Sequence, residues 1–162
     1  MVIEEVEVTE GILTLAKQKS KDMGSLNNSI TKGEGNVAGF IGEFVVADLI
    51  GAKVSNTYDY DLVSNDGLKI DVKTKRTGFK PRDNYDCSVA AFNTKQKCDQ
   101  YYFVRVKNDF STAWVLGYYP KDLYFKEARF FRKGDYDPDN RFTFKADCYN
   151  MKIKELYNSG QA

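Results

Sequence analysis

The stretch Val63-Ser64-Asn65-Asp66-Gly67-Leu68 constrains this chain more than any other. An Asn-Asp-Gly turn between two runs rich in β-branched and apolar residues predicts a β-hairpin, because Asp-Gly supplies the positive backbone angles of a tight reversal. After the turn, over residues 68–76, the period is two: Leu68, Ile70, Val72 and Thr74 face one way, and Lys69, Asp71, Lys73 and Lys75 the other. Before it, over 58–64, Asp59 and Asp61 share one face. A face that needed only solubility would be served by Thr or Ser. This hairpin instead brings acids and a lysine together, with a cost in like charge.

The rest of the chain surrounds the hairpin with both kinds of element. Residues 8–23 read as a half-exposed helix with Thr9 as N-cap and Gly24 as the stop. A polar loop at 25–36 leads into the most apolar segment, 37–52, which reads as a buried helix ended by Gly51. Its only ionisable residues are Glu43 and Asp48, and its internal glycines, Gly39 and Gly42, each cost about 1 kcal/mol relative to alanine, which predicts a close approach there. Beyond the hairpin, strands are expected at 86–92, 100–107, 112–119, 129–135 and 142–153, with a short helix at 93–99, another starting at Pro120, and a turn at 136–141. Helices on both sides of this run of strands predict an α/β sandwich on a mixed sheet. The tyrosines at 101, 102, 118 and 119 and Trp114 are expected in the core.

Composition excludes several chemistries. With 162 residues and no internal repeat or linker, one domain is expected. The absence of histidine removes the usual general base and zinc ligand, leaving carboxylates, lysines and a hard metal ion. The three cysteines are far apart and form no Cys-x-x-Cys pair, which suggests neither a disulfide framework nor a thiolate metal site. An acidic N-terminus and no apolar run of membrane-spanning length predict a cytoplasmic protein, in the host cytoplasm if phage-encoded, with no membrane partner. Net charge is only +1, yet residues 69–82 hold six basic side chains (Lys69, Lys73, Lys75, Arg76, Lys80 and Arg82) against one acid. Such a density suits a polyanion.

Glu43 in GFIGEFVVADL, Asp61 in YDYDLV, and Asp71-Val72-Lys73 in KIDVKTKR, the chain's only acid-x-lysine, together resemble the signature of the PD-(D/E)XK, or restriction-endonuclease-like, nuclease superfamily. The resemblance covers about residues 30–107. Tyr60 stands where a proline often precedes the first aspartate. The resemblance implies a mixed β-sheet flanked by helices with core order α-β-β-β-α-β, plus an N-terminal helix and C-terminal strand and helix additions. It implies Mg2+, or Mn2+ in its place, held by Asp61, Asp71, the Val72 carbonyl and Glu43. Glu43, Asp61, Asp71 and Lys73 would form the catalytic set.

The chemistry supports that assignment. Hard divalent ions take oxygen ligands and bridge to phosphate, and their charge offsets carboxylate repulsion. Lys73 would orient water and neutralise a developing oxyanion. Asp59 is the alternative to Asp61. Lys75, Arg76, Lys80 and Arg82 are candidate DNA-backbone contacts, the last three in a basic and aromatic loop at 76–85. In similar nucleases a Gln or Lys on the helix after the third strand faces the site, which nominates Gln96, then Lys95, with Lys97 beside them. Ser29 and Asn36 are weaker phosphate candidates. Lys126, Arg129, Arg132 and Lys133 would extend the track or solvate a face. The expected function is a Mg2+-dependent endonuclease hydrolysing DNA phosphodiester bonds, structure-selective in the manner of Holliday-junction resolvases and acting as a homodimer. The alternative is a nucleic-acid-binding or assembly protein that keeps the fold without cleaving.

Overall fold

In the computed structural model, which describes residues 3–24, 34–138 and 141–158, the hairpin forms where the sequence predicts it. Gly67 N donates to Ser64 O at 3.0 Å and Ser64 N to Leu68 O at 2.9 Å. Gly67 takes a φ of 84°, which only glycine adopts freely. The turn joins β3 (Leu62–Val63) to β4 (Lys69–Thr77) as an antiparallel pair. β3 is shorter than the run 58–64. Thr57 and Tyr60 close a turn through Thr57 N to Tyr60 O at 2.8 Å and Tyr60 N to Thr57 Oγ1 at 3.1 Å, so pairing starts after Asp61.

Four further strands complete a six-stranded mixed sheet: β1 (Glu4–Glu7), β2 (Lys53–Val54), β6 (Gln100–Lys107) and β7 (Thr112–Pro120), in the order β1-β7-β6-β4-β3-β2. Only β4 and β6 run parallel, and a parallel pair needs a crossover. Helices α1 (Glu10–Gly24) and α2 (Glu34–Ile50) cover one face. Thr9 Oγ1 caps α1 by accepting from Ile12 N at 3.2 Å, and Gly51 ends α2 with a φ of 70°. There Ile41, Val45 and Val46 bury against Leu62, Ile70, Val104 and Val115.

The opposite face receives a second, three-stranded sheet. β5 (Asp86–Ala90), β8 (Arg129–Phe131) and β11 (Cys148–Lys152) assemble in the order β5-β11-β8, and with α3 (Lys121–Glu127) they enclose Tyr101, Phe103, Trp114, Leu116 and Met151. Period two along β6 makes the division possible: Tyr102, Val104 and Val106 serve the helix side, Tyr101 and Phe103 the other. A short ribbon pairs β9 (Tyr136–Asp137) with β10 (Phe142–Thr143), so β9 takes the first two residues of the turn expected at 136–141, while the strand expected at 129–135 ends at Phe131. Among the described residues no helix is long and apolar enough to cross a membrane. The three cysteines are buried and unpaired.

The general α/β class and mixed sheet agree with the sequence expectation, and several particulars do not. The strand expected third, at 86–92, ends at Ala90 and leaves the main sheet for β11, which lies some sixty residues downstream in the sequence. The helix expected at 93–99 is a 3₁₀ turn over Ala91–Lys95. Residues 34–36, expected in a loop, begin α2, while Ser29 lies outside the described residues. The strand expected over 142–153 is split into β10 and β11, and β1 was not expected at all. The core expectation for the aromatics holds for Tyr101, Tyr102, Trp114 and Tyr119, whereas Tyr118 is half-buried.

Candidate active site

The close approach expected at the helix glycines occurs at one of them. A Cβ on Gly42 would lie 2.1 Å from Thr74 Oγ1 and 3.2 Å from Thr74 Cβ, so α2 rests directly on β4 at that point. Gly39 has nothing within 4 Å of such a Cβ, and the expectation fails there. The contact at Gly42 fixes the height of the next residue, Glu43, which is buried although charged. Asn56, on the loop before β3, donates its side-chain amide to Glu43 Oε1.

Asp61 and Asp71 approach from the other side of the hairpin. Val72 N donates to Asp61 Oδ2 at 2.8 Å, which orients that carboxylate along β4. Asp71 is 5% exposed, and its Oδ2 is buried, takes no hydrogen bond and faces the Lys73 ammonium at 2.8 Å. Two residues apart on a strand, Asp71 and Lys73 share a face. Gln96 completes the group. Its Nε2 donates to Tyr58 O at 3.1 Å and reaches Asp71 Oδ1 at 3.4 Å, while its Oε1 accepts from Lys73 Nζ at 3.2 Å. Lys121 Nζ donates to the Gln96 carbonyl.

Gathering these acids perturbs them. Burial first, then the Asp71 and Glu43 carboxylates, push Asp61 up to about 8 from an ordinary 3.8. Burial also raises Glu43, with Asp71 adding to the rise, against the lowering effects of the Asn56 hydrogen bond and the Lys19 charge. A carboxyl that holds its proton more tightly when folded contributes stability that is complete below pH 3.8 and is lost as pH rises through 8. With a chelator present, the melting temperature of the protein should therefore fall between pH 5 and pH 9, at about 1.4 kcal/mol for each tenfold difference in proton affinity. Asp61→Asn should flatten that slope, and Mg2+ should restore the wild type at pH 9. Equal slopes for wild type and variant in thermal melts would show that Asp61 is not the group responsible.

A hard divalent cation suits this donor set. Asp71 presents a buried oxygen whose partner is the Lys73 ammonium, the donors are all oxygen, and burial first and the neighbouring carboxylates second raise the proton affinity of Asp61. Among the described residues no three acidic or thiol side chains are grouped so as to hold a metal ion between them. Two aspartates with Glu43 turned to Asn56 match an ion that keeps several waters.

The structure brings together Glu43, Asp61, Asp71, the Val72 backbone, Lys73 and Gln96. It separates Asp59 from them, because Asp59 Oδ1 accepts from Lys97 N at 3.0 Å and so ties the 3₁₀ turn to the loop before β3. Lys95, Lys97, Lys80 and Arg82 are exposed. Arg76 is engaged by the Asn108 carbonyl at 3.2 Å and lies 5.2 Å from the Phe110 ring centroid. Lys75 follows Lys73 on the same face, shares a small cavity with it and also lines a larger one toward Phe142 and Phe144. Arg129 pairs with Asp86 at 3.7 Å and with Glu155 at 3.3 Å, so that member of the second basic cluster has carboxylate partners within the fold. Sequence reasoning missed Asn56, whose only signal was a lone polar residue, and Arg105, which read as one position of an apolar strand. Compared with known proteins, the chain matches no family model and no curated sequence.

Proposed function

We propose that this protein is a Mg2+-dependent endonuclease that hydrolyses DNA phosphodiester bonds, with Mn2+ as a substitute ion. The observation that carries the reading is the gathering of three carboxylates, Glu43, Asp61 and Asp71, two of them buried and, among the described residues, only Asp71 ion-paired with a lysine at 2.8 Å, where a fold in need of stability alone would pair or remove the excess charge. The Asp61 and Asp71 carboxylates and the Val72 carbonyl would hold the ion, with Glu43 assisting. A bound ion of this kind supplies charge neutralisation at the scissile phosphate and activates water.

The remaining work belongs to side chains. Val72 N fixes the Asp61 carboxylate. Lys73, held between Asp71 and Gln96, donates from its ammonium toward the attacking water and the charge that develops on the phosphate. Gln96, with both amide atoms engaged, keeps Lys73 from swinging away. The exposed Lys80, Arg82, Lys95 and Lys97 would grip flanking backbone phosphates in a salt-dependent way. Preference for branched DNA, as in Holliday-junction resolvases, and pairing of two copies to cut two strands are the narrower form of the proposal.

The test incubates purified protein with supercoiled plasmid, a four-way junction and single strands, in Mg2+ or Mn2+, beside Asp71→Asn and Lys73→Ala. Nicking by the wild type alone, stopped by chelator, is expected. Absence of cleavage on every substrate, or equal cleavage by wild type and both variants, would sink the proposal.

A further inference from the structure

A cavity of about 370 Å³ opens between the two sheets, beyond the carboxylate cluster along β4. Its floor is cationic. Lys75 on β4 and Arg105 on β6 are register partners across the parallel pair, so their side chains leave the sheet together on the side facing β5. Neither is ion-paired with a carboxylate among the described residues, and the Arg105 guanidinium donates to the Asp86 carbonyl at 2.9 Å. Burial first, and then the Arg105 charge, hold the Lys75 ammonium below its usual range. The carboxylates of Asp86 and Asp137 also line the cavity, and Asp86 faces the Arg129 guanidinium at 3.7 Å, so an anion would be received on the side of the adjacent Lys75 and Arg105 cations.

The roof has the opposite character. Ser88 on β5 and Asn150 on β11 are register partners, and Asp86 lies two residues from Ser88, so all three present to the same side. Asn150 is 1% exposed and its Oδ1 has no hydrogen-bond partner, an arrangement costing about 1–3 kcal/mol unless a donor arrives. Phe142 and Phe144 supply an apolar side wall, their ring centroids 5.3 Å apart and nearly perpendicular. Phe144 is fixed by stacking on Phe131 at 4.4 Å, while Phe142 is half-exposed at the mouth. A ligand that fits must carry an anion, a flat ring and hydrogen-bond donors on the ring edge.

We propose that this cavity receives a single nucleotide turned out of the DNA beside the cut, its phosphate on Lys75 and Arg105, its base against Phe142 and Phe144, and an exocyclic amine donating to Asn150 Oδ1. The inference rests on the nuclease reading above. A strand rises about 3.3 Å per residue, which puts Lys75 about 7 Å beyond Lys73, on the scale of one nucleotide of an extended strand. The volume lies within the ordinary range of small-ligand sites and admits one nucleotide, not a base pair. Extrusion breaks pairing and stacking for a few kcal/mol, least at junctions and mismatches, so the cavity would also favour distorted DNA.

The experiment follows binding of dAMP, dCMP, dGMP, dTMP, deoxyribose 5-phosphate and inorganic phosphate to the full chain in EDTA, by NMR shift titration. At least one amine-bearing nucleotide should bind about tenfold more tightly than dTMP or inorganic phosphate, the scale set by satisfying a buried acceptor. Lys75→Ala and Phe142→Ala should each weaken it about fivefold or more, and Asp71→Asn should leave it unchanged. No binding, equal binding of nucleotides and phosphate, or affinity indifferent to both variants overturns the proposal. Plasmid nicking without nucleotide binding overturns this inference and leaves the nuclease reading intact. Nucleotide binding by a protein that cleaves nothing overturns the nuclease reading and, with it, extrusion beside a cut.

Discussion

Lys73→Ala should lower single-turnover cleavage of plasmid DNA by about 10²–10³-fold, the loss seen when one preorganised donor to developing charge is removed. It should also destabilise the metal-free protein, because the buried Asp71 would lose the ammonium that lies 2.8 Å away. Breaking a buried pair costs about 3–5 kcal/mol, and the partial exposure of Lys73 reduces this to about 1–3 kcal/mol. Asp71→Asn should abolish cleavage with the opposite effect on stability: at pH 9 in chelator it removes one of three crowded negative charges and should melt higher than the wild type. A structural Asp71–Lys73 pair would lose stability on removal of either partner. Parallel losses in both variants, with cleavage unchanged, would therefore assign the pair to the fold.

Gly42→Ala is expected to have the largest effect on the fold of any single methyl addition in α2. Helix propensity favours alanine by about 1 kcal/mol, but the new Cβ would lie 2.1 Å from Thr74 Oγ1, a separation real Cβ atoms do not show. Overpacking of this kind costs about 1–3 kcal/mol, or a fall of about 2–10 °C in Tm for a domain of this size. Since Glu43 is the next residue, lifting α2 also withdraws a carboxylate, and cleavage should fall with stability. Adding Thr74→Ala removes the nearest contact and should recover at least half of the lost Tm. Gly39→Ala, with open space at its Cβ, should be neutral or slightly stabilising. Equal melting temperatures for the two alanine variants would mean that α2 does not rest on β4 as described.

What was legible in the sequence was local. The Asp-Gly turn, the Thr9 cap and the alternation along β4 depend on neighbours within a few residues, and each appears where expected. Which of Asp59 and Asp61 lies beside Asp71 was not local: Asp61 accepts from Val72 N, while Asp59 holds the backbone amide of Lys97. The destination of residues 86–90 was equally hidden. Alternation declares a strand but not its partner, and β11 completes the pairing only late in the chain. β1 has just four residues at a sheet edge, too few for periodicity to stand out. The cavity needs Lys75, Arg105, Ser88 and Asn150 from four separate strands, so no single stretch could reveal it.

The chain's one tryptophan, Trp114, is buried in β7, with its indole N–H donating to Glu5 Oε1 on β1 at 2.9 Å. This makes it an optical gauge of the sheet edge. Its emission should be blue-shifted while β1 is seated and should redden when that edge strand peels away, whereas an ion arriving at the hairpin carboxylates leaves its surroundings unchanged. Fluorescence of the native protein thus follows the sheet edge, and the site itself is best watched through a probe placed elsewhere.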